Sequence, residues 1–264
     1  MKKAGSYLIP ILFILIFAFV TPKVFSGTMS KSSLLTMVAV LFAVMFLFRP
    51  KKAATKTSEE VAAEVLDDFS SDAFADDEAL KAKFYAALND IGANCPKAAV
   101  SKLEKLAPQC SGSKETYAVA LAAALAWRKQ QDYKNAIREY NKAVVLHPSG
   151  KLAYTIGDAH QRLGNLDKAK DSYEFASELE PGNPQYFSSL ATVHVAEGSY
   201  NDAIDTAMEA LDLDENHASA LATLAICYGI QDNSLMHKHY TDLAVENGYS
   251  ADKIKETIKA LKKR

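Results

Sequence analysis

At 264 residues with a formal net charge of -2, the chain is long enough for one or two domains, and no excess of glycine, proline or cysteine points to a fibrous or disulfide-dense class. The near-neutral balance argues neither for a nucleic-acid binder nor for a polyanion mimic, although it hides strong local asymmetry. Cys95, Cys110 and Cys227 are too few for a disulfide framework and leave at least one thiol free.

Two apolar runs come first. The run at 7–20 is followed by Thr21-Pro22-Lys23, and the run at 34–48 by Arg49-Pro50-Lys51-Lys52. Extended through the small residues before them, each gives about 16 or 17 residues and roughly 25 Å of helix, at the short end for a membrane span. Flanking Lys and Arg side chains snorkel to make up the shortfall. The pattern predicts a two-span membrane anchor over residues 1–52. Lys2 and Lys3 before the first run, and Val24-Phe25-Ser26 after it, also fit a cleaved signal peptide, so that alternative stays open. Arg49, Lys51, Lys52 and Lys56 crowd the end of the second run, whereas the connecting loop carries only Lys23 and Lys31. The positive-inside rule then places the downstream domain in the cytoplasm of a multi-pass membrane protein.

Residues 53–77 read as an acidic linker. From Thr57 to Glu78 the chain carries Glu59, Glu60, Glu64, Asp67, Asp68, Asp72, Asp76, Asp77 and Glu78 and no basic residue. Thr57 and Glu60 have capping-box spacing, and Val61, Val65 and Phe69 share a helical face, which predicts a short amphipathic helix. The remainder reads as a solvated tether, with a spacer from an anionic membrane or a bait for a basic partner as the functional alternatives. Residues 78–114 predict a helical pair. Leu80, Phe84, Leu88 and Ile91 form one stripe that stops at Gly92, and Val100, Leu103 and Leu106 form a second that opens at Pro96 and closes at Pro108.

Residues 115–249 repeat themselves. Ala136, Tyr140, Ala143 and Pro148 align with Ala169, Tyr173, Ala176 and Pro181, then with Ala203, Ala207, Ala210 and Glu215, at a spacing of 33 and then 34 residues. Such a period marks a solenoid of helical hairpins. Turns fall at 130–133, 164–166 and 198–200, and Ala124, Gly157, Ala191 and Ala225 allow the second helix of each hairpin to approach closely. A fourth unit, with Leu221, Leu224, Ala225, Tyr228 and Ala244, places His237 and Thr241 where a small residue and an aromatic are expected, so it should pack less tightly. Residues 250–264 predict a last helix with Ile254, Ile258 and Leu261 inside and Lys253, Lys255, Lys259, Lys262, Lys263 and Arg264 outside. It suits a cap on an open solenoid, with a basic patch for anionic lipid or an acidic partner as the sharper alternative.

The order of small, aromatic, small and proline residues resembles the tetratricopeptide repeat family over about half of the chain, here in the form of a membrane-anchored, bacterial-type member. The resemblance implies an all-α solenoid, preceded by the two N-terminal transmembrane helices, whose first helices line a concave groove for a peptide or helix of a partner protein. Transferred by position, the groove residues are Leu121, Leu125 and Arg128 from the first unit, Lys151, Tyr154, Thr155, Asp158 and Arg162 from the second, and Gln185, Ser188 and Thr192 from the third. Family members that clamp a C-terminal carboxylate use Lys and Asn at positions held here by Leu121, Leu125, Tyr154 and Asp158, so that clamp is absent. The groove instead has a basic and aromatic end and a hydroxyl-rich floor, which suits a segment with some acidic character.

No catalytic constellation, cofactor motif or metal site emerges. The histidines are scattered, His160 and His194 hold equivalent places in the array, and His237 and His239 point apart on a helix. There is no P-loop, dinucleotide motif, serine elbow or zinc-protease motif. The expectation is a non-enzymatic, membrane-anchored adaptor or scaffold for a protein or peptide partner, with no nucleic acid. The alternative is an exported envelope-protein assembly factor or chaperone with the repeats outside the cytoplasm.

Overall fold

The computed structural model describes residues 56–263, within the second of two units, 1–54 and 55–264, into which the chain divides. The two expected membrane spans lie outside the described residues. Among the described residues no helix is long and apolar enough to cross a membrane.

All regular structure described is helical. The order is α1 (Ser58–Val65), α2 (Glu78–Gly92), α3 (Pro96–Leu106), a 3-10 turn (Ala107–Gln109), α4 (Ser113–Lys129), α5 (Tyr133–Leu146), α6 (Gly150–Arg162), α7 (Leu166–Leu179), α8 (Pro184–Glu197), α9 (Tyr200–Leu213), α10 (Ala218–Ile230), α11 (Ser234–Glu246) and α12 (Ala251–Leu261). From α2 onward the helices pair as hairpins, α2 with α3 through α10 with α11, and the second helix of each hairpin packs on the first of the next. Apart from α1, which packs on α4 as well as α2, contacts thus stay within and between adjacent hairpins, as in a solenoid.

Local chemistry sets the helix ends. Asp132, Ser149, Asn183, Asn233 and Ser250 cap their helices by accepting a backbone N–H with the side chain. Each hairpin turn contains one residue in the left-handed region, namely Asn94, Gln131, Gly164, Gly198 and Asp232. The last four keep the repeat period, so the turn geometry recurs even where glycine does not.

Close helix approach comes from the small residues. Ala136, Ala143, Ala169, Ala176, Ala203, Ala207 and Ala210 are fully buried. At Gly157 a Cβ would lie 2.6 Å from Cε1 of Tyr173, so α6 and α7 meet there without room for any side chain. The Tyr173 hydroxyl donates to Oε1 of Gln161 at 3.0 Å, and burial pushes that phenol well above its ordinary pKa. Glu180 ties neighbouring units together, accepting from the Gly150 N–H at 2.9 Å and the Tyr186 hydroxyl at 2.7 Å. In the fourth unit α11 buries Ala244 alone, yet it packs against α10 as extensively as the helices of the other hairpins pair, and His237 sets Nδ1 2.8 Å from the Ala225 carbonyl oxygen. Helix α12 closes the array by burying Ile254, with Ile258 and Leu261 packed on the same cluster.

The acidic stretch differs from expectation. The Thr57 capping box forms, with the Glu60 N–H donating to Oγ1 of Thr57 and the Thr57 N–H donating to the Glu60 carboxylate. Beyond α1 the chain is packed rather than a solvated tether. Ser70, Ala73 and Phe74 are buried, and the Phe74 ring stacks on Phe84 at 4.6 Å. The physical reason is that Val61, Val65, Phe69 and Phe74 carry enough apolar area to offset the cost of ordering a short acidic segment.

Candidate functional site

The expected groove is the face built by the first helix of each hairpin, α4, α6 and α8. Between α4 and α6 lies a cavity of about 220 Å³. It gathers Leu121, Leu125, Arg128, Lys151 and Thr155 from the expected set and adds Tyr117, Tyr140, Ser149 and Leu152 from the array. Its remaining wall, unforeseen from the sequence, is Glu64, Val65, Leu66 and Asp67.

That wall meets the basic and aromatic end of the face with complementary chemistry. A Glu64 carboxylate oxygen lies 2.7 Å from Nζ of Lys56, and the other lies 3.5 Å from the Arg128 guanidinium. Burial pushes the Glu64 carboxyl up, but Lys56, Arg128 and Lys129 outweigh it and leave the group below its ordinary pKa. Asp67 accepts from the Tyr117 hydroxyl at 2.5 Å and from Oγ and N–H of Ser70 at 2.8 and 3.1 Å. Here too burial acts upward and the hydrogen bonds prevail, so the net shift is downward. Phe69 lies flat on the His147 ring at 4.4 Å and edge-on to Tyr117 at 5.2 Å.

Further along, Tyr154 sits between Tyr173 and Tyr186, with ring centroids 5.5 and 5.4 Å away. Gln185 donates to its hydroxyl at 3.3 Å and to Ser189 at 3.1 Å. Asp158 accepts from Arg162 at 2.9 Å, which holds the guanidinium charged, and that guanidinium stands 5.6 Å over the Tyr133 ring. Lys151, Gln185 and Thr192 are exposed, Thr155 half-buried.

Two expected groove residues do not reach the surface. Leu125 is 4% exposed because the same cluster holds Val61, Ala62 and Val65 of α1. Ser188 is 0% exposed, turned into the helix packing. Among the missed lining residues, Glu64, Asp67, Tyr117 and Tyr140 carry the carboxylates and phenols. A signal for the first two existed in the stripe of Val61, Val65 and Phe69, which requires a surface to lie on.

Among the described residues no group of three or more His, Cys, Asp or Glu could hold a metal. Cys95 is exposed, Cys110 half-buried and Cys227 buried, all as free thiols. Burial pushes the Cys227 thiol up to about 12, which makes it inert.

An array of this geometry is a helical-repeat scaffold of the kind that typically binds proteins without catalysis. Residues 154–218 match the family model of the tetratricopeptide repeat. Over 108 residues, 39% of this chain, the sequence is 32% identical to RNA polymerase-associated protein CTR9 of Caenorhabditis elegans, and it spans only 9% of that relative's length. Among solved structures, YrrB, described as a TPR protein with an unusual peptide-binding site, superposes with a TM-score of 0.56 at 18% identity, covering 75% of this chain and 99% of YrrB. A tetratricopeptide repeat protein from Parabacteroides merdae gives a TM-score of 0.61 at 14% identity, covering 69% and 72%. At these identities the superpositions establish the fold. Residues 154–218 are thus a tetratricopeptide repeat segment within a solenoid of that fold, and the match indicates no enzyme family.

Proposed function

We propose that the chain is a membrane-anchored adaptor whose first-helix face binds a protein or peptide segment and keeps it at the membrane. The two apolar runs would supply the anchor, and the cluster of Arg49, Lys51, Lys52 and Lys56 would keep the repeats on the cytoplasmic side. The observation that carries the reading is the face itself. It runs across α4, α6 and α8, leaves Lys151, Gln185 and Thr192 exposed beside the half-buried Tyr154 and Thr155, and combines charge, amide, hydroxyl and aromatic groups suited to an extended or helical segment. The peptide-binding site named for YrrB supports this use of the fold.

A photo-crosslinking residue at position 192 tests it in intact cells. It should trap a protein partner in the membrane fraction, while the same residue at exposed Asp171 on α7 should not. Equal trapping at both positions would overturn the face assignment. For the sidedness, Cys95 is the reporter because it is exposed. An impermeant thiol reagent should label it only after the membrane is opened, and labelling in intact cells would move the repeats outside.

A further inference from the structure

The first-helix face is already occupied at one end. Helix α1 packs on α2 and α4, the first helices of successive hairpins, and residues 64–67 line the same cavity as Lys151, Leu152 and Thr155 of α6. The occupant has the two properties expected of an external ligand of this face. Its helix is amphipathic, with Val61 and Val65 at 0% and 5% exposure, and Phe69 in the turn that follows lays its ring on His147. It is also acidic, and two of its carboxylates meet groups of the array: Glu64, beside its closer pair with Lys56, lies 3.5 Å from the Arg128 guanidinium, and Asp67 accepts from the Tyr117 hydroxyl.

The fit has the character of a docked segment more than of a sealed core. A cavity remains beneath it, Glu64 and Arg128 keep 33% and 39% of their side-chain area in solvent, and Lys151 on the cavity rim is exposed. Being tethered, the segment competes at the high effective concentration of an intramolecular ligand. A free ligand of similar affinity therefore fails until the tethered one is loosened.

We propose that residues 57–69 are a built-in occupant of the binding face, and that the partner segment accepted at this end is an acidic amphipathic protein helix with apolar residues four apart, which binds by displacing it. This rests on the reading of that face as the partner site. The occupant sets the specificity it imitates. Arg128 and the Tyr117 hydroxyl receive carboxylates, with Lys151 adding positive charge on the cavity rim, Tyr117 and His147 receive an aromatic ring, and Leu121 and Leu125 share the cluster of the aliphatic stripe.

The test uses the full chain in mild detergent and a fluorescent synthetic peptide of residues 57–74. The variant E64K/D67K removes the inward charges of the tethered copy and leaves the face intact. It should bind the peptide at least about tenfold more tightly than the unaltered chain, because the intramolecular competitor is gone. Adding Lys151→Glu should weaken that binding, and a scrambled peptide of the same composition should not bind. Hydrogen exchange over 58–69 should quicken in E64K/D67K while 133–213 stays unchanged. If that variant fails to fold, Arg128→Glu alone should quicken exchange over 58–69. Exchange over 58–69 that stays as slow as in α4 in either variant, or a folded E64K/D67K chain that ignores the peptide or binds the scrambled one equally, overturns the proposal and makes α1 an integral part of the core. Trapping at position 192 probes α8, which the segment does not touch. Peptide failure with trapping intact therefore sinks this inference alone, whereas failure of both sinks the binding face itself.

Discussion

The Tyr117 hydroxyl donates a hydrogen bond of 2.5 Å to the Asp67 carboxylate across 50 residues of chain. It joins the acidic segment to α4 at the point where the sequence suggests only a linker. Tyr117→Phe keeps the ring against Phe69 and His147 and removes this bond. Hydrogen bonds to charged groups contribute about 1.5 to 3 kcal/mol when buried, and Asp67 is only half-buried, so a loss of about 1 to 2 kcal/mol is expected. A melting curve reads the total, and hydrogen exchange should place the loosening in 58–74 ahead of the repeats.

The same contacts make docking of the segment pH-dependent. Asp67 and Glu64 are both held below their ordinary values of 3.8 and 4.5. A carboxyl depressed on folding contributes stability that is fully present above its unfolded pKa and is lost as pH falls through the folded one. Protection of 58–69, corrected for intrinsic exchange, should therefore be flat from pH 7 to about 5 and fall below about 4.5. Asp67→Asn should lower the plateau and flatten the fall. A loss that is complete well above pH 5 would rule out these two carboxyls as its cause.

The left-handed turn residues offer a stability test independent of any partner. Gln131 adopts φ 61° where Gly164 and Gly198 stand in the next two units. An L side chain in that region costs about 1 to 2 kcal/mol, and glycine gives part of the gain back in unfolded-chain entropy. Gln131→Gly should therefore stabilise the chain by up to about 1 kcal/mol. At Gly164 a Cβ would meet no atom within 4 Å, so Gly164→Ala should cost about 1 to 2 kcal/mol through backbone strain alone. Urea unfolding of both variants should show opposite signs.

The repeats were legible because their spacing fixes both helices of each hairpin. Gly157 against Tyr173 is that logic at atomic scale, since only one residue type fits and the partner ring recurs one helix later. The occupied face was harder to see. A stripe such as Val61, Val65 and Phe69 states that a surface is needed and leaves open which one. The decisive clue lay in α4, which buries nine residues on both of its sides, Leu125 among them. A first helix that is apolar nearly all round, at positions meant for a groove, must be covered by something. Ser188 shows the limit in the other direction: the repeat register places a hydroxyl near the face, while helix rotation of a few tens of degrees decides whether it reaches solvent.

Tyr154 and Arg162, adjacent candidates by sequence, should respond differently to alanine. Tyr154 is wedged between Tyr173 and Tyr186, and its hydroxyl receives Gln185. Its removal opens a hole between two units, at a cost below the about 3 to 5 kcal/mol of a fully buried aromatic and near 2 to 3 kcal/mol. Because each unit touches only its neighbours, that loss should also broaden the unfolding transition. Arg162 pairs with Asp158 at the surface and covers the Tyr133 ring, contacts worth about 1 kcal/mol or less. A double alanine variant would therefore confound lost binding with lost packing. Tyr154→Phe separates them, since it keeps the ring stack and frees Gln185. If the Tyr154 hydroxyl and Gln185 contact a partner, trapping at position 192 should fall in Tyr154→Phe while the melting temperature stays within a few degrees of the unaltered chain. Unchanged trapping would confine Tyr154 to holding the second and third units together.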